Sequence, residues 1–156
     1  MFNADELFAM GIEIEKNGAA FYQAAAVAAG PGAAQRLFTE LYEWELDHVA
    51  LFEKLHDKAV AGKKYSKVED TDGLGRAYLT AMAANHVFTG ASNPATMAKK
   101  CKGPRQVIEI AMQFEKDSVA LYAGMKGLVP RELGRKHIDT LIHEEVKHIG
   151  MLQKKL

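Results

Sequence analysis

The 156-residue chain has one cysteine, four prolines and no long apolar run. Cys101 alone cannot form an internal disulfide or the paired Cys-x-x-Cys loops of a zinc ribbon or a similar iron site. No apolar stretch approaches the roughly 18 to 20 residues needed to cross a bilayer. The first ten residues, MFNADELFAM, contain two acids and no basic region, so they do not predict a secretory leader. We therefore expect a cytoplasmic protein that does not span a membrane.

An excess of either charge is also missing, because Lys plus Arg and Asp plus Glu both number 20. A neutral chain has no overall field that would attract nucleic acid or anionic lipid. The basic clusters at 63–67, 98–102 and 153–156 are short and scattered, which is typical of solvated surface. We expect neither nucleic acid nor membrane as a partner.

Prolines are few, and Pro31 and Pro130 separate long stretches of helix-forming composition. Apolar residues recur at spacings of three and four, which predicts amphipathic helices, and no segment alternates like a strand. Asn3 is a candidate N-cap, with Glu6 completing a capping box. The predicted helices run from Asp5 to about Ala29, Ala33 to about Ala61, Asp72 to about Phe88, Asn93 to about Lys102, Arg105 to about Lys126 and Arg131 to about Gln153.

This order gives a helical hairpin at about 3–62, a crossover at about 63–103 that carries short helices, and a second hairpin at about 104–155. Two antiparallel pairs joined by one long crossover form a ferritin-like four-helix bundle. We therefore predict an all-α fold in which a single domain, 1–156, is a ferritin-like antiparallel four-helix bundle with a long helical crossover between its second and third long helices.

The chain contains an internal repeat with an offset of 100 residues. Glu-x-x-His occurs at Glu45 and His48 and again at Glu145 and His148, in the second and fourth long helices. Glu-x6-Tyr occurs in the first and third. The matched pairs are Glu15 with Glu115, Lys16 with Lys116, Tyr22 with Tyr122, Leu41 with Leu141, Glu45 with Glu145, and His48 with His148.

Helical geometry brings these residues towards one place. Three residues turn a helix by about 300°, so the Glu and His of each Glu-x-x-His share a face. The midpoint of 15 and 45 is Gly30, and the midpoint of 115 and 145 is Pro130, so each turn sets the two glutamates of its hairpin at one height. Packing the hairpins about a pseudo-two-fold axis would place four carboxylates and two imidazoles inside the bundle.

Four buried carboxylates would have to take up protons or be neutralised by cations. Two divalent cations cancel four carboxylate charges, and carboxylate with imidazole suits iron or manganese. Two glutamates with two Glu-x-x-His motifs form the di-metal carboxylate arrangement of helical bundles. The predicted metal ligands, which would also form the reactive centre, are Glu15, Glu45, His48, Glu115, Glu145 and His148.

Neighbouring polar residues are assigned less specific roles. Glu13 and His143 are two residues from a predicted ligand and should be solvated. Asp47 and Glu144 lie about 100° from their ligand neighbours, where surface placement is favoured over contact with a ligand. Ordinary surface or core positions are predicted for His56, His86 and His137, and a core stripe for Trp44, Phe52, Phe114 and Leu141.

Tyr22 and Tyr122 lie two turns beyond Glu15 and Glu115 on the same stripes. We expect each hydroxyl to hydrogen-bond a ligand carboxylate, with simple packing as the alternative.

Four segments together resemble the rubrerythrin family of ferritin-like di-iron proteins, in a short form without a rubredoxin domain. They are EKNGAAFY at 15–22, WELDH at 44–48, FEKDSVALY at 114–122 and EEVKH at 144–148. The segment AANHVFTG and the helix after it resemble the crossover of the short forms. The resemblance implies that the six predicted ligands bind two iron ions, with manganese, zinc or a mixed pair as alternatives.

The same resemblance implies reduction of hydrogen peroxide, or less often oxygen, by an oxidoreductase. Electrons would come from an external donor such as a rubredoxin, because the chain lacks the cysteines for its own. Peroxide-reducing members tend to carry a glutamate where this chain has Ser118. A non-catalytic protein that binds, oxidises or senses iron is therefore one alternative, and a metal-free structural bundle is another. Family habit implies a homodimer, in which helices exchanged between chains would build the site from two subunits.

Overall fold

The computed structural model describes residues 3–62, 67–68, 70–88 and 93–156. The described residues are all helical, apart from turns, extended connections and one isolated β-bridge between Asn3 and Lys67. The helices are α1 (Ala4–Ala29), α2 (Ala33–Ala61), α3 (Leu74–Asn85), α4 (Pro94–Lys100), α5 (Pro104–Leu128), a 3-10 helix (Arg131–Leu133) and α6 (Arg135–Gln153). The all-α prediction is confirmed. Parts of the predicted crossover, including most of the 63–67 basic cluster and the end of AANHVFTG, lie outside the described residues.

The first hairpin matches its prediction closely. The backbone N–H of Asn3 donates to Glu6 Oε2 at 3.0 Å, as expected of a capping box. Between α1 and α2 the chain turns through Gly30 and Gly32, whose φ angles of 65° and 151° favour glycine. The turn therefore ends one long helix and starts the next at the predicted place.

The crossover helices end earlier than predicted, and one of them has the expected cap. Asn93 Oδ1 accepts from the N–H of Thr96 at 2.9 Å and caps α4. The N-cap of α3 is Gly73 rather than Asp72; Asp72 Oδ1 accepts from Leu74 at 3.1 Å, and the carboxylate of Asp70 accepts from the next two N–H groups. α3 stops at Asn85 rather than near Phe88, because the N–H of Val87 donates to Asp117 Oδ2 of α5 at 2.9 Å. α4 stops at Lys100 rather than Lys102, since Cys101 is extended.

The prediction of one continuous helix from Arg131 was wrong. A 3-10 turn comes first, and Gly134 then breaks the helix with a φ of 119°, so that α6 starts at Arg135. An added Cβ on Gly134 would lie 2.5 Å from the Leu55 side chain. The break therefore lets α2 approach the start of α6 closely.

The four long helices pair as two hairpins, with α1 along α2 and α5 along α6. α4 packs on α1 and α3 packs on α5, so the crossover covers the outside of the bundle. One hydrophobic cluster runs through the bundle, from Ala4 to Leu152. Among the described residues, no helix has both the length and the apolar character required to cross a membrane.

Candidate metal centre

The bundle interior contains a cluster of ionisable side chains contributed by all four long helices. Its four carboxylates are fully buried and its two imidazoles are 3% exposed. The cluster consists of Glu15 from α1, Glu45 and His48 from α2, Glu115 from α5, and Glu145 and His148 from α6. The structure therefore brings the six predicted ligand residues together, and it does so within one chain.

Donor atoms in this cluster fall into two overlapping groups that could hold a metal ion. One group is Glu15, Glu45, His48 and Glu145, and the other is Glu45, Glu115, Glu145 and His148. In each group the donor atoms lie within 4.8 Å of one another. Both groups include Glu45 and Glu145, whereas each has one glutamate and one histidine of its own.

Both histidines turn Nδ1 towards the carboxylates. His48 Nδ1 lies 3.0 Å from Glu145 Oε1 and 3.5 Å from Glu15 Oε2. His148 Nδ1 lies 2.8 Å from Glu145 Oε2 and 3.3 Å from Glu115 Oε2. Nδ1 is therefore the ring nitrogen that each histidine offers to a cation.

Buried polar atoms of this cluster are left without hydrogen bonds. Some of these atoms lie at ion-pair distance from an imidazole but do not make a hydrogen bond of proper geometry. Among the described residues, the buried side-chain atoms without such a hydrogen bond are Glu15 Oε2, Glu45 Oε1 and Oε2, His48 Nδ1, and Glu145 Oε1 and Oε2. All of them belong to the cluster. Because an unpaired buried polar group costs roughly 1–3 kcal/mol, a concentration of them in one place calls for a further partner.

Crowding of the carboxylates changes their affinity for protons. Burial, followed by the charges of Glu15 and Glu145, raises the pKa of Glu45 well above its usual range. Burial, followed by the charge of Glu145, raises the pKa of Glu115 to about 8. Burial also acts to raise the pKa of Glu145, but the two adjacent imidazoles outweigh it and hold that pKa below its usual range.

The histidines show the complementary effect. Burial lowers the pKa of His48, but the carboxylates of Glu145 and Glu15 outweigh it and raise the pKa to about 11. In the same way, Glu115 and Glu145 overcome burial and raise the pKa of His148 to about 9. Without a cation, the cluster therefore holds protons that a metal would have to displace.

Each tyrosine of the repeat hydrogen-bonds a carboxylate of the opposite hairpin. The hydroxyl of Tyr22 donates to Glu115, and that of Tyr122 donates to Glu15. Burial is the main cause that raises the pKa of both phenols, so both stay protonated as donors. The expected hydrogen bond to a cluster carboxylate is confirmed, and simple packing is excluded.

A pocket of about 120 Å³ opens on the histidine side of the cluster, between α2 and α6. It is lined by three pairs that are equivalent in the repeat: Trp44 and Glu144, Asp47 and Lys147, and His48 and His148. The pocket connects the two histidines with the outside of the bundle.

Two residues at this pocket differ from their predictions. Glu144 was expected at the surface, but its Oε2 lies 3.0 Å from His48 Nε2 while 42% of its side chain remains exposed. Trp44 was expected in the core, but it is only partly buried and stacks on the His148 ring, with centroids 4.9 Å apart and planes within 3°. Residue spacing on one helix missed both contacts because they cross between the hairpins.

The remaining assignments agree with the structure. Glu13, His137 and His143 are exposed, and His56 is partly exposed. His86 is a core histidine, 3% exposed, whose Nε2 lies 3.4 Å from Ser118 Oγ. Its burial lowers its pKa, so it is neutral at pH 7.

No protein-family model, no curated protein and no solved structure matches the chain.

Proposed function

We propose that the chain is a ferritin-like bundle whose six clustered residues bind two divalent metal ions. The observation that carries the proposal is the pair of overlapping donor groups that share Glu45 and Glu145. Glu15 with His48 would complete one metal position, and Glu115 with His148 the other. Glu45 and Glu145, which belong to both donor groups, would help to hold both ions.

The donor set fits such a pair of ions. Two divalent cations neutralise four carboxylates, and the buried atoms without hydrogen bonds all belong to residues of the two donor groups. A donor set of carboxylate oxygen and imidazole nitrogen suits iron or manganese better than metals that prefer thiolate. Iron is the metal we propose, with manganese, zinc or a mixed pair as alternatives.

We further propose a redox function of the rubrerythrin type, on the resemblance of the four motifs. Bound as an iron pair, the group would supply the two electrons that convert hydrogen peroxide, together with two protons, into two waters. Oxygen is the second candidate substrate. An external protein such as a rubredoxin would restore the electrons, because the chain has only Cys101.

The chain's own residues support small-molecule chemistry at this place. The pocket of about 120 Å³ has room for a few water-sized molecules, which suits a substrate of the size of peroxide or oxygen. Tyr22 and Tyr122 each hold in place a carboxylate of the other hairpin: Tyr22 that of Glu115, and Tyr122 that of Glu15. The packed aromatic core around them keeps bulk water away from the carboxylates.

Iron oxidation or sensing without catalytic turnover is the second candidate, and Ser118 favours it. Ser118 is 1% exposed and faces His86, at the position where peroxide-reducing members tend to have a glutamate. A neutral hydroxyl cannot replace a carboxylate as an alternative ligand for a cation that shifts position.

A turnover assay distinguishes the two candidates. The di-ferrous protein is mixed anaerobically with hydrogen peroxide, a rubredoxin and its reductase, and the reductant consumed per chain is measured. Many turnovers, absent in Glu45→Ala, support the peroxidase. A single turnover per chain supports iron handling, and retention of activity in Glu45→Ala would rule out the proposed centre.

A further inference from the structure

The two halves of the cluster differ at one repeat-related pair, Trp44 and Glu144. Each of these residues directly precedes the glutamate of a Glu-x-x-His motif. Each also reaches across the bundle to the histidine of the other hairpin: Glu144 contacts His48, and Trp44 stacks on His148. The contact is therefore conserved in position within the repeat, whereas its chemistry changes from a carboxylate to an indole.

At His48, the carboxylate of Glu144 completes the hydrogen bonding of the ring. Its Oε2 lies 3.0 Å from Nε2, so the Nε2–H donates to it and Nδ1 is left as the nitrogen that faces the cluster. A carboxylate on the far nitrogen of a ligand histidine fixes the tautomer and increases the basicity of the ring.

At His148, the ring is held by stacking instead. Within the described chain, the carboxylates within 4 Å of His148 all face Nδ1, and the indole of Trp44 lies flat against the ring. Stacking fixes the ring plane but does not select the tautomer or raise the basicity of the nitrogen.

The two halves of the repeat also differ in the charges that they place at the pocket. Asp47, next to His48 in sequence, is acidic, whereas its repeat equivalent Lys147 is basic. The Lys147 ammonium lies 5.9 Å from the centroid of the Trp44 ring, which stacks on His148. The residue that precedes His48 is therefore an acid and the one that precedes His148 is a base, and both line the pocket.

We infer that Glu144 is a positioning residue that makes the two metal positions unequal, so that the position formed with Glu15 and His48 binds a divalent ion more tightly than the position formed with Glu115 and His148. The inference rests on the proposed function. Glu144 itself binds no metal in this account, because it acts on the far nitrogen of His48.

Titration of the chelator-treated protein with Co²⁺, followed by calorimetry and visible absorption, tests the inference. Wild-type protein should take up two ions in two resolved steps. Glu144→Ala should weaken the tighter of them by about 10–100-fold and leave the other within about threefold. Glu144→Gln should recover most of the loss, because its amide oxygen still accepts from Nε2–H.

Two controls separate positioning from a general effect on the helix. His143→Ala alters an exposed neighbour on α6 and should leave both steps unchanged. In a His48→Ala background, Glu144→Ala should have no further effect on the remaining ion.

Equal weakening of both ions, no weakening of either, failure of Glu144→Gln to recover binding, or an effect that persists without His48 would each overturn the inference. Absence of Co²⁺ uptake by wild-type protein would instead overturn the proposed function along with it, so the two failures are distinguishable.

Discussion

The hydroxyl of Tyr22 reaches across the bundle to Glu115 because no carboxylate of its own stripe is near enough. Tyr22 is seven residues beyond Glu15, about 10.5 Å along one helix axis, which is too far for a hydrogen bond. The sequence therefore predicts the type of partner but not which glutamate it is. The choice depends on how the two hairpins pack, and spacing within one helix does not contain that information.

Replacing Tyr22 by phenylalanine should lower the free energy of unfolding by about 1–3 kcal/mol, because a fully buried carboxylate loses its donor. Urea denaturation of the metal-free protein measures the loss. Tyr42→Phe is the matched control, because the Tyr42 hydroxyl accepts a long hydrogen bond of 3.5 Å from the amide of Gln23 in an exposed position. Equal losses in the two variants would show that the buried hydrogen bond contributes nothing specific.

The buried histidines make the stability of the metal-free protein depend on pH. The pKa values of His48 and His148 are about 11 and 9 in the folded chain, above the unfolded value of about 6.5. A raised pKa means that folding binds the proton more tightly, so this stabilisation is complete below about pH 6.5 and is lost as the pH rises through 9 to 11. Glu115 has a folded pKa of about 8, so its proton is also lost as the pH rises, and this loss lowers the stability of the folded chain as well.

We therefore expect the melting temperature of the metal-free protein to fall between pH 6.5 and pH 9. Metal-loaded protein has no protons at these groups to lose, so its melting temperature should not fall over this range. Calorimetry of both forms across the range is the measurement. A metal-free protein that becomes more stable with rising pH would contradict the protonation of the cluster.

The sequence predicts a helix end well when the residues that cause it are close to it in the chain. The box at Asn3, the cap at Asn93 and the glycine turn after α1 are set by neighbouring residues, so the sequence predicts them. The end of α3 is set by Asp117, thirty residues further along the chain, and was missed. The break at Gly134 was missed because a glycine inside a helical pattern does not reveal its φ angle.

Glycine also determines how closely α1 approaches its neighbours. An added Cβ on Gly18 would meet the Phe114 ring of α5, and one on Gly11 would lie 2.6 Å from the Phe52 ring of α2. Neither ring can move freely, because both are fully buried. These two glycines are therefore packing positions that bring the helices of the cluster together.

Gly18→Ala should consequently destabilise the protein by about 1–3 kcal/mol through overpacking. Gly150→Ala is the control, since an added Cβ there meets nothing within 4 Å, and helix propensity should make it stabilising by about 0.5–1 kcal/mol. Chemical denaturation of both variants decides the matter. Stabilisation by both substitutions would mean that α1 and α5 are not in close contact at Phe114.

At the scale of the whole molecule, the repeat is most regular where charges are buried and departs from symmetry elsewhere. The six cluster residues and the two tyrosines match between the halves, and a self-comparison of the sequence was enough to find them. Trp44 with Glu144, and Asp47 with Lys147, differ in kind between the halves. Their contacts cross between hairpins, so only the assembled bundle shows what these pairs touch.

Because Glu45 belongs to both donor groups, its removal is the most direct test of the proposed two-metal centre. The protein is reconstituted anaerobically with Fe²⁺ and desalted, and its iron content is measured by elemental analysis. Wild-type protein should contain about two iron ions per chain. The control Glu13→Ala, which removes an exposed carboxylate of α1, should contain the same number. Glu45→Ala should lose both ions, because its carboxylate belongs to both donor groups. Full iron content in Glu45→Ala, or none in the wild-type protein, would contradict the proposed di-metal centre.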